Sequence, residues 1–124
     1  MSSLLSSEFS DTELLFRGVI DGFWDYEENR PSSATFKDSK GTSVDRDGGR
    51  TDEVCASTLL SKKAYKAVVK LSVADVKSVG AILIYKPVYD NIYHSEIHDS
   101  YERAQLRGNK PTKLREKSTV VYVS

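Results

Sequence analysis

Hydrophobic residues along this chain fall in short runs separated by polar stretches. Residues 13–20, ELLFRGVI, read as a strand. Phe23, Trp24 and Tyr26 follow, with aromatic area to anchor the next segment. Residues 66–71, KAVVKL, and 81–85, AILIY, read as further strands, the second ended by Pro87. A turn at Asp90 and Asn91 leads to a short strand over 93–97, and the β-prone 118–123, STVVYV, is the last. Helical spacing lies between them. Val54, Cys55, Thr58, Leu59 and Lys62 form a stripe behind Thr51, a good N-cap, with Asp52 and Glu53 in the first turn, so a helix is expected over 52–64. Ser72 caps a short helix over 73–79 ended by Gly80, and Ser100 caps another through Leu106, ended by Gly108. The serine-rich residues 1–10 read as a flexible N-terminus, which leaves 11–124 as one domain. The order β, long loop, α, β, α, β, β, α, β predicts a small α+β domain. Its sheet should be mixed or mostly antiparallel, with about three short helices.

The long polar loop over 27–50 contains RPSSATFKDSKGTSVDRDGGR. Ordered loops of this length usually carry function. Residues 33–36 and 42–44 read as short extended pieces that pair across a turn at Asp38, Ser39, Lys40 and Gly41. Arg30 and Arg46 bracket the hydroxyls of Ser32, Ser33, Thr42 and Ser43, and arginine forks with hydroxyls suit phosphate or carboxylate. Asp45 either joins such a site or pairs with one of the arginines. Arg17 sits in the middle of an apolar strand. It either points to solvent or, if buried, needs an anionic partner or ligand. Asp47-Gly48-Gly49-Arg50 before a helix is the nearest thing to a phosphate cradle, but Asp47, Asp52 and Glu53 would repel an anion there. In a strand, His94, Glu96 and His98 share one face. That row is either an exposed polar face or an acid–base site; with three ligands at most, no metal is expected.

Composition narrows the classes. Hydrophobic residues make up 39% and charged residues 29%, which supports one modest core rather than disorder. A formal net charge of zero gives no global pull toward nucleic acid or membrane. The zero hides an asymmetry: residues 1–60 hold 12 acidic and 6 basic side chains, and residues 61–124 the reverse. Arg103, Arg107, Lys110, Lys113, Arg115 and Lys117 face only Glu116. This basic run is either a solvated face complementing the acidic half or an anion-binding patch. It contains no aromatic residue, so stacking on single-stranded nucleic acid is poorly supported, while phosphate contact stays open. Cys55 is the single cysteine, so no intramolecular disulfide can form and a buried, inert thiol is expected. The N-terminus lacks a signal-peptide pattern and no run of 18 apolar residues occurs, so no membrane span and a cytoplasmic location are expected.

The segments LFRGVI, RPSSATF and SVDR, followed by KLSVADVKSVGAILIYKPVYDNIYHSEI, resemble a pattern of small uncharacterised bacterial proteins. The resemblance spans residues 14–98, with matching positions at Arg17, Ser32, Ser33, Phe36, Ser43, Val44, Arg46 and His94. Where that pattern reads Asn-Pro-x-His, this chain has Asn91-Ile92-Tyr93-His94. It implies no particular activity. A slighter resemblance is to ADP-ribosyltransferases of the Arg-Ser-Glu type. It rests on Leu15-Phe16-Arg17-Gly18, with Ser43 and Glu96 in the serine and glutamate places, but lacks the Ser-Thr-Ser and Glu-x-Glu motifs. It implies NAD bound at Arg17.

These features predict a module for a phosphorylated or nucleotide-like ligand. Arg17, Arg30 and Arg46 would hold the anion; Ser32, Ser33, Ser43 and Asp45 would orient it; His94 would complete the pocket. One alternative is an enzyme acting on nucleotides or RNA, with His94 as general acid–base, Ser43 and Glu96 as its catalytic companions and arginines stabilising charge. Another is a protein-interaction component of a toxin–antitoxin, phage-defence or counter-defence pair. The first two require Arg17, the loop and the His94 row to meet in space.

Overall fold

A six-stranded antiparallel sheet organises the chain. In the computed structural model, which describes residues 4–124, its strands are β1 (Leu14–Val19), β4 (Thr42–Arg46), β5 (Ala67–Ser72), β6 (Ile82–Tyr85), β7 (His94–His98) and β8 (Thr119–Val123). Their spatial order is β6-β7-β4-β1-β5-β8, and every neighbouring pair is antiparallel. A separate ribbon pairs β2 (Trp24–Asp25) with β3 (Arg30–Pro31). The α-helices among the described residues are α1 (Asp52–Lys62), α2 (Val73–Ser78) and α3 (Lys110–Lys117). The fold is a small α+β domain.

Local chemistry sets the helix ends. Thr51 Oγ1 accepts the Val54 amide at 3.2 Å. Ser72 and Asp75 cap each other: the Asp75 amide donates to Ser72 Oγ at 3.0 Å and the Ser72 amide to Asp75 Oδ2 at 2.9 Å. Gly80 follows α2 with a φ of 79°, the left-handed turn that ends a helix.

Three expected elements take another form. Residues Ser33–Phe36 are a 3-10 turn rather than an extended piece. Residues 42–46 do not pair with them; they form β4, in the middle of the sheet. Thr42, Val44, Asp45 and Arg46 are all buried, so β4 is covered on both faces although its residues are mostly polar. The expected helix over 101–106 is a compact turn instead, closed by Asp99 N–H to Ala104 O at 3.3 Å and Ser100 N–H to Arg103 O at 3.0 Å. The third helix begins later, at Lys110, with Pro111 in its first turn where a missing N–H costs nothing.

Paired residues share a face of a sheet and successive residues alternate. One face presents Leu15, Val19, Val44, Val69, Leu71 and Ile97. With Val73 and Val76 of α2, Leu114 of α3, and Phe36, these form the main core. The opposite face presents Phe16 and Val68, packed with Cys55 and Ala56 of α1. On this second face β4 adds Ser43 and Asp45, and β7 adds His94, Glu96 and His98, from the register Ser43↔Glu96 and Asp45↔His94.

Residues 4–10 form no strand or helix, yet they are held. Buried Arg46 donates to both carboxylate oxygens of Glu13, each at 2.8 Å, and to the Ser6 and Glu8 carbonyls. Its guanidinium lies 4.1 Å from the Phe9 ring centre.

Candidate functional site

A cavity of about 280 Å³ opens on the second face, between α1 and the turn preceding β7. Phe16, Gly18, Ser43, Val44 and Asp45 line its floor, Leu59, Lys62 and Tyr65 one side, and Val88, Asp90, Asn91 and His94 the other; Arg17 reaches it as well. Three residues singled out by their chemistry, Ser43, Asp45 and His94, are thus brought together on one face; Arg17 alternates to the main-core face with Leu15 and Val69 and borders the cavity from across the sheet.

Arg17 occupies a split in the sheet. The pairing of β1 with β4 runs through Leu15↔Arg46 and Phe16↔Asp45, and no further pair follows. Beyond that point the Arg17 side chain replaces the ladder: Nη1 donates to the Ser43 carbonyl at 2.7 Å and Nε to the Thr35 carbonyl at 2.6 Å. Nη2 makes no hydrogen bond among the described residues. Burial pushes the Arg17 guanidinium below its ordinary value, and the charge of Asp38 opposes that shift. An arginine stays protonated at neutral pH regardless, so the split holds a fixed positive charge with donors to spare.

His94 is fixed at both ring nitrogens. Nδ1 lies 2.8 Å from the Lys86 carbonyl and Nε2 lies 3.2 Å from Ser43 Oγ. A carbonyl only accepts, so Nδ1 carries the proton of the neutral ring. Nε2 then presents its lone pair to the Ser43 hydroxyl. Asp45, 3% exposed, accepts from Asn91 Nδ2 through Oδ1 at 2.8 Å; its Oδ2 has no hydrogen-bond partner among the described residues. Asn91 Oδ1 in turn accepts the Tyr93 amide at 2.9 Å. That side-chain turn shapes the approach to His94 in a stretch without proline.

Other singled-out residues lie elsewhere. Arg46 points to the main-core face and is engaged by Glu13. Arg30 is exposed on the β2–β3 ribbon, and neither it nor Ser32 or Ser33 lines the cavity. Ser32 precedes and Ser33 opens the 3-10 turn whose Thr35 carbonyl holds Arg17, so this part of the loop supports the arginine from behind. Glu96 sits across from Ser43 but bonds His98 Nε2 at 2.8 Å, with Lys86 Nζ at 3.6 Å. The one-face row therefore divides: His94 works with Ser43, and Glu96 with His98. Among the described residues, no group of three or more His, Cys, Asp or Glu side chains is arranged to hold a metal ion. The glycine segment before α1 is closed on itself, because Asp47 Oδ1 accepts the Gly49 amide at 2.6 Å.

No family model, curated protein or solved structure matches this chain. The chemistry of the cavity is therefore what points to a function.

Lining residues without a sequence motif include Lys62, Tyr65 and Asn91. One signal for Tyr65 was present. Gly18 interrupts a β-strand, and a glycine there marks a close approach: a Cβ at Gly18 would fall 2.4 Å from the Tyr65 ring. Of the basic run, Lys110 is spent on Asp99 at 2.8 Å and Arg103 Nε on the Gln105 carbonyl at 3.0 Å. Buried Cys55 has its thiol pushed up by burial, against the pull of Arg50. No helix among the described residues is long and apolar enough to cross a membrane.

Proposed function

We propose that the protein binds a phosphorylated, nucleotide-like small molecule in the cavity beside α1. The observation that supports this is the convergence of Arg17, Ser43 and His94, carried on three different strands, on one space of about 280 Å³. That size sits just below the roughly 300–1,000 Å³ usual for small-molecule pockets, so it suits one small ligand rather than a folded polymer. Arg17 and Lys62 supply positive charge for a phosphate. The Tyr65 ring supplies a flat apolar wall for a base or sugar. Exposed Asp90 supplies a polar group for hydroxyls or amines.

Thermal shift with a panel of nucleoside mono-, di- and cyclic phosphates, NAD and inorganic phosphate tests the reading. A ligand at 100 times its Kd stabilises by about 2.7 kcal/mol, an easily measured rise in Tm. Arg17→Ala should abolish the ligand-dependent rise, judged against that variant's own unliganded Tm. A rise that survives Arg17→Ala unchanged would remove the proposal.

A further inference from the structure

The pairing of Ser43 with His94 has the form of a nucleophile with its base. We infer that Ser43 attacks, and His94 serves as general base, in the hydrolysis of a phosphodiester held in this cavity. The inference rests on the ligand reading above.

Three observations converge. The Lys86 carbonyl at 2.8 Å fixes the His94 proton on Nδ1, and Nε2, 3.2 Å from Ser43 Oγ, is left to take the hydroxyl proton. A base oriented by a second group and touching a hydroxyl is the arrangement that activates serine. Asp45 is directly across from His94 on the same face, where paired side chains stand about 4.5–5.5 Å apart at Cβ. It is buried and keeps one carboxylate oxygen without a hydrogen-bond partner among the described residues. A negative charge there stabilises the imidazolium that forms when His94 accepts the proton. Finally, Arg17 is anchored at 2.7 Å to the carbonyl of Ser43 itself and borders the cavity with Nη2 unused, a positive charge next to the residue that would attack the phosphate.

The substrate class follows from charge. The cavity is lined by two cations, Arg17 and Lys62, and two carboxylates, Asp45 and Asp90. Such a balanced lining suits the single charge of a phosphodiester better than the double charge of a monoester. A neutral acyl ester would leave the guanidinium without an anion.

The chemistry balances without a co-reactant other than water. Ser43 Oγ bonds to phosphorus and its proton passes to His94 Nε2. The bond from phosphorus to one ester oxygen breaks, and His94 returns the proton to that oxygen, releasing an alcohol. Water then attacks the seryl phosphodiester and gives a proton to His94. The phosphorus–Oγ bond breaks and Ser43 recovers the proton, leaving a phosphomonoester.

The test uses the whole chain with two probes. Diisopropyl fluorophosphate, read by intact mass and peptide mapping, reports an activated serine. Bis-p-nitrophenyl phosphate, p-nitrophenyl phosphate and p-nitrophenyl acetate report diester, monoester and acyl cleavage. The expected result is one adduct, on Ser43, and diester hydrolysis that falls at least about 100-fold in Ser43→Ala and in His94→Gln. Lys113→Ala, at an exposed position of α3, should leave it unchanged. An unlabelled Ser43 with no diester turnover, in wild-type protein that still gains stability from nucleotides, would overturn the inference and leave the binding proposal standing. Labelling that persists in His94→Gln would remove His94 as base. Acetate cleaved in preference to the diester would overturn the substrate class.

Discussion

Arg46→Ala tests whether this arginine is a clamp within the fold. In the native protein its side chain is 4% exposed and its Glu13 partner 13%. Two parallel hydrogen bonds of 2.8 Å join the charges, and the remaining donors reach the Ser6 and Glu8 carbonyls. Removing one side of a buried pair costs about 3–5 kcal/mol, because the other charge is left behind without a partner. Glu13 keeps some access to water, which favours the lower end. Loss of the guanidinium over the Phe9 ring adds about 0.5–1 kcal/mol. A total near 3–4 kcal/mol corresponds to a fall in Tm on the order of 10–20 °C for a domain of this size. Urea unfolding of Arg46→Ala, Glu13→Ala and the double variant should show the two losses to be strongly non-additive. Limited proteolysis should cut within residues 4–9 faster in the single variants. A loss below about 1 kcal/mol, or additive losses, would refute the clamp.

Gly18→Ala should displace the Tyr65 ring, because the new Cβ would lie 2.4 Å from it. Overpacking of this kind costs about 1–3 kcal/mol, and Tyr65→Ala in the same chain should recover part of it in a thermal melt. Lys110 Nζ at 2.8 Å and the Arg107 amide at 3.0 Å hold the Asp99 carboxyl below its ordinary value. A depressed value means stability that is present above about pH 3.9 and is lost as pH falls through the folded value. The stability gap between wild type and Asp99→Asn should therefore be open near neutral pH and close in strong acid, as urea melts across that range will show. Ser72→Ala removes one half of the capping box of α2 and should cost about 1 kcal/mol, while Ser72→Asp should cost much less.

Elements with local causes were legible in the chain. Strands β1, β5, β6 and β8 are written in β-branched and aromatic runs, and helices α1 and α2 in Thr51 and Ser72 caps that the structure uses. β4 reads locally as part of a loop because Thr-Ser-Val-Asp-Arg is polar. Its place in the sheet comes from partners far along the chain, β1 and β7, which no local window contains. The turn over 99–107 is likewise held at a distance, by Asp99 and Lys110. At the site, Arg17, Ser43, Asp45 and His94 stand out by residue type; all four lie on the neighbouring strands β1, β4 and β7, and the register puts Ser43, Asp45 and His94 on one face and Arg17 on the other. The two loop arginines could not be sorted by composition. Arg30 is exposed on a ribbon, and Arg46 alternates to the face opposite Asp45, a difference fixed by strand register alone.

Binding of a nucleotide-like ligand in the cavity that Arg17 borders, as proposed, is directly measurable. It is read by titrating nitrogen-15-labelled protein with adenosine 3′,5′-cyclic monophosphate, which carries a single diester charge, observing backbone amides and the arginine Nε–H resonances. Binding in the cavity should give saturable shifts at Arg17 Nε–H and at the amides of Gly18, Ser43, Lys62, Asn91 and His94, with Arg46 Nε–H unmoved. Shifts confined to residues 103–117, or none at millimolar ligand, would contradict it.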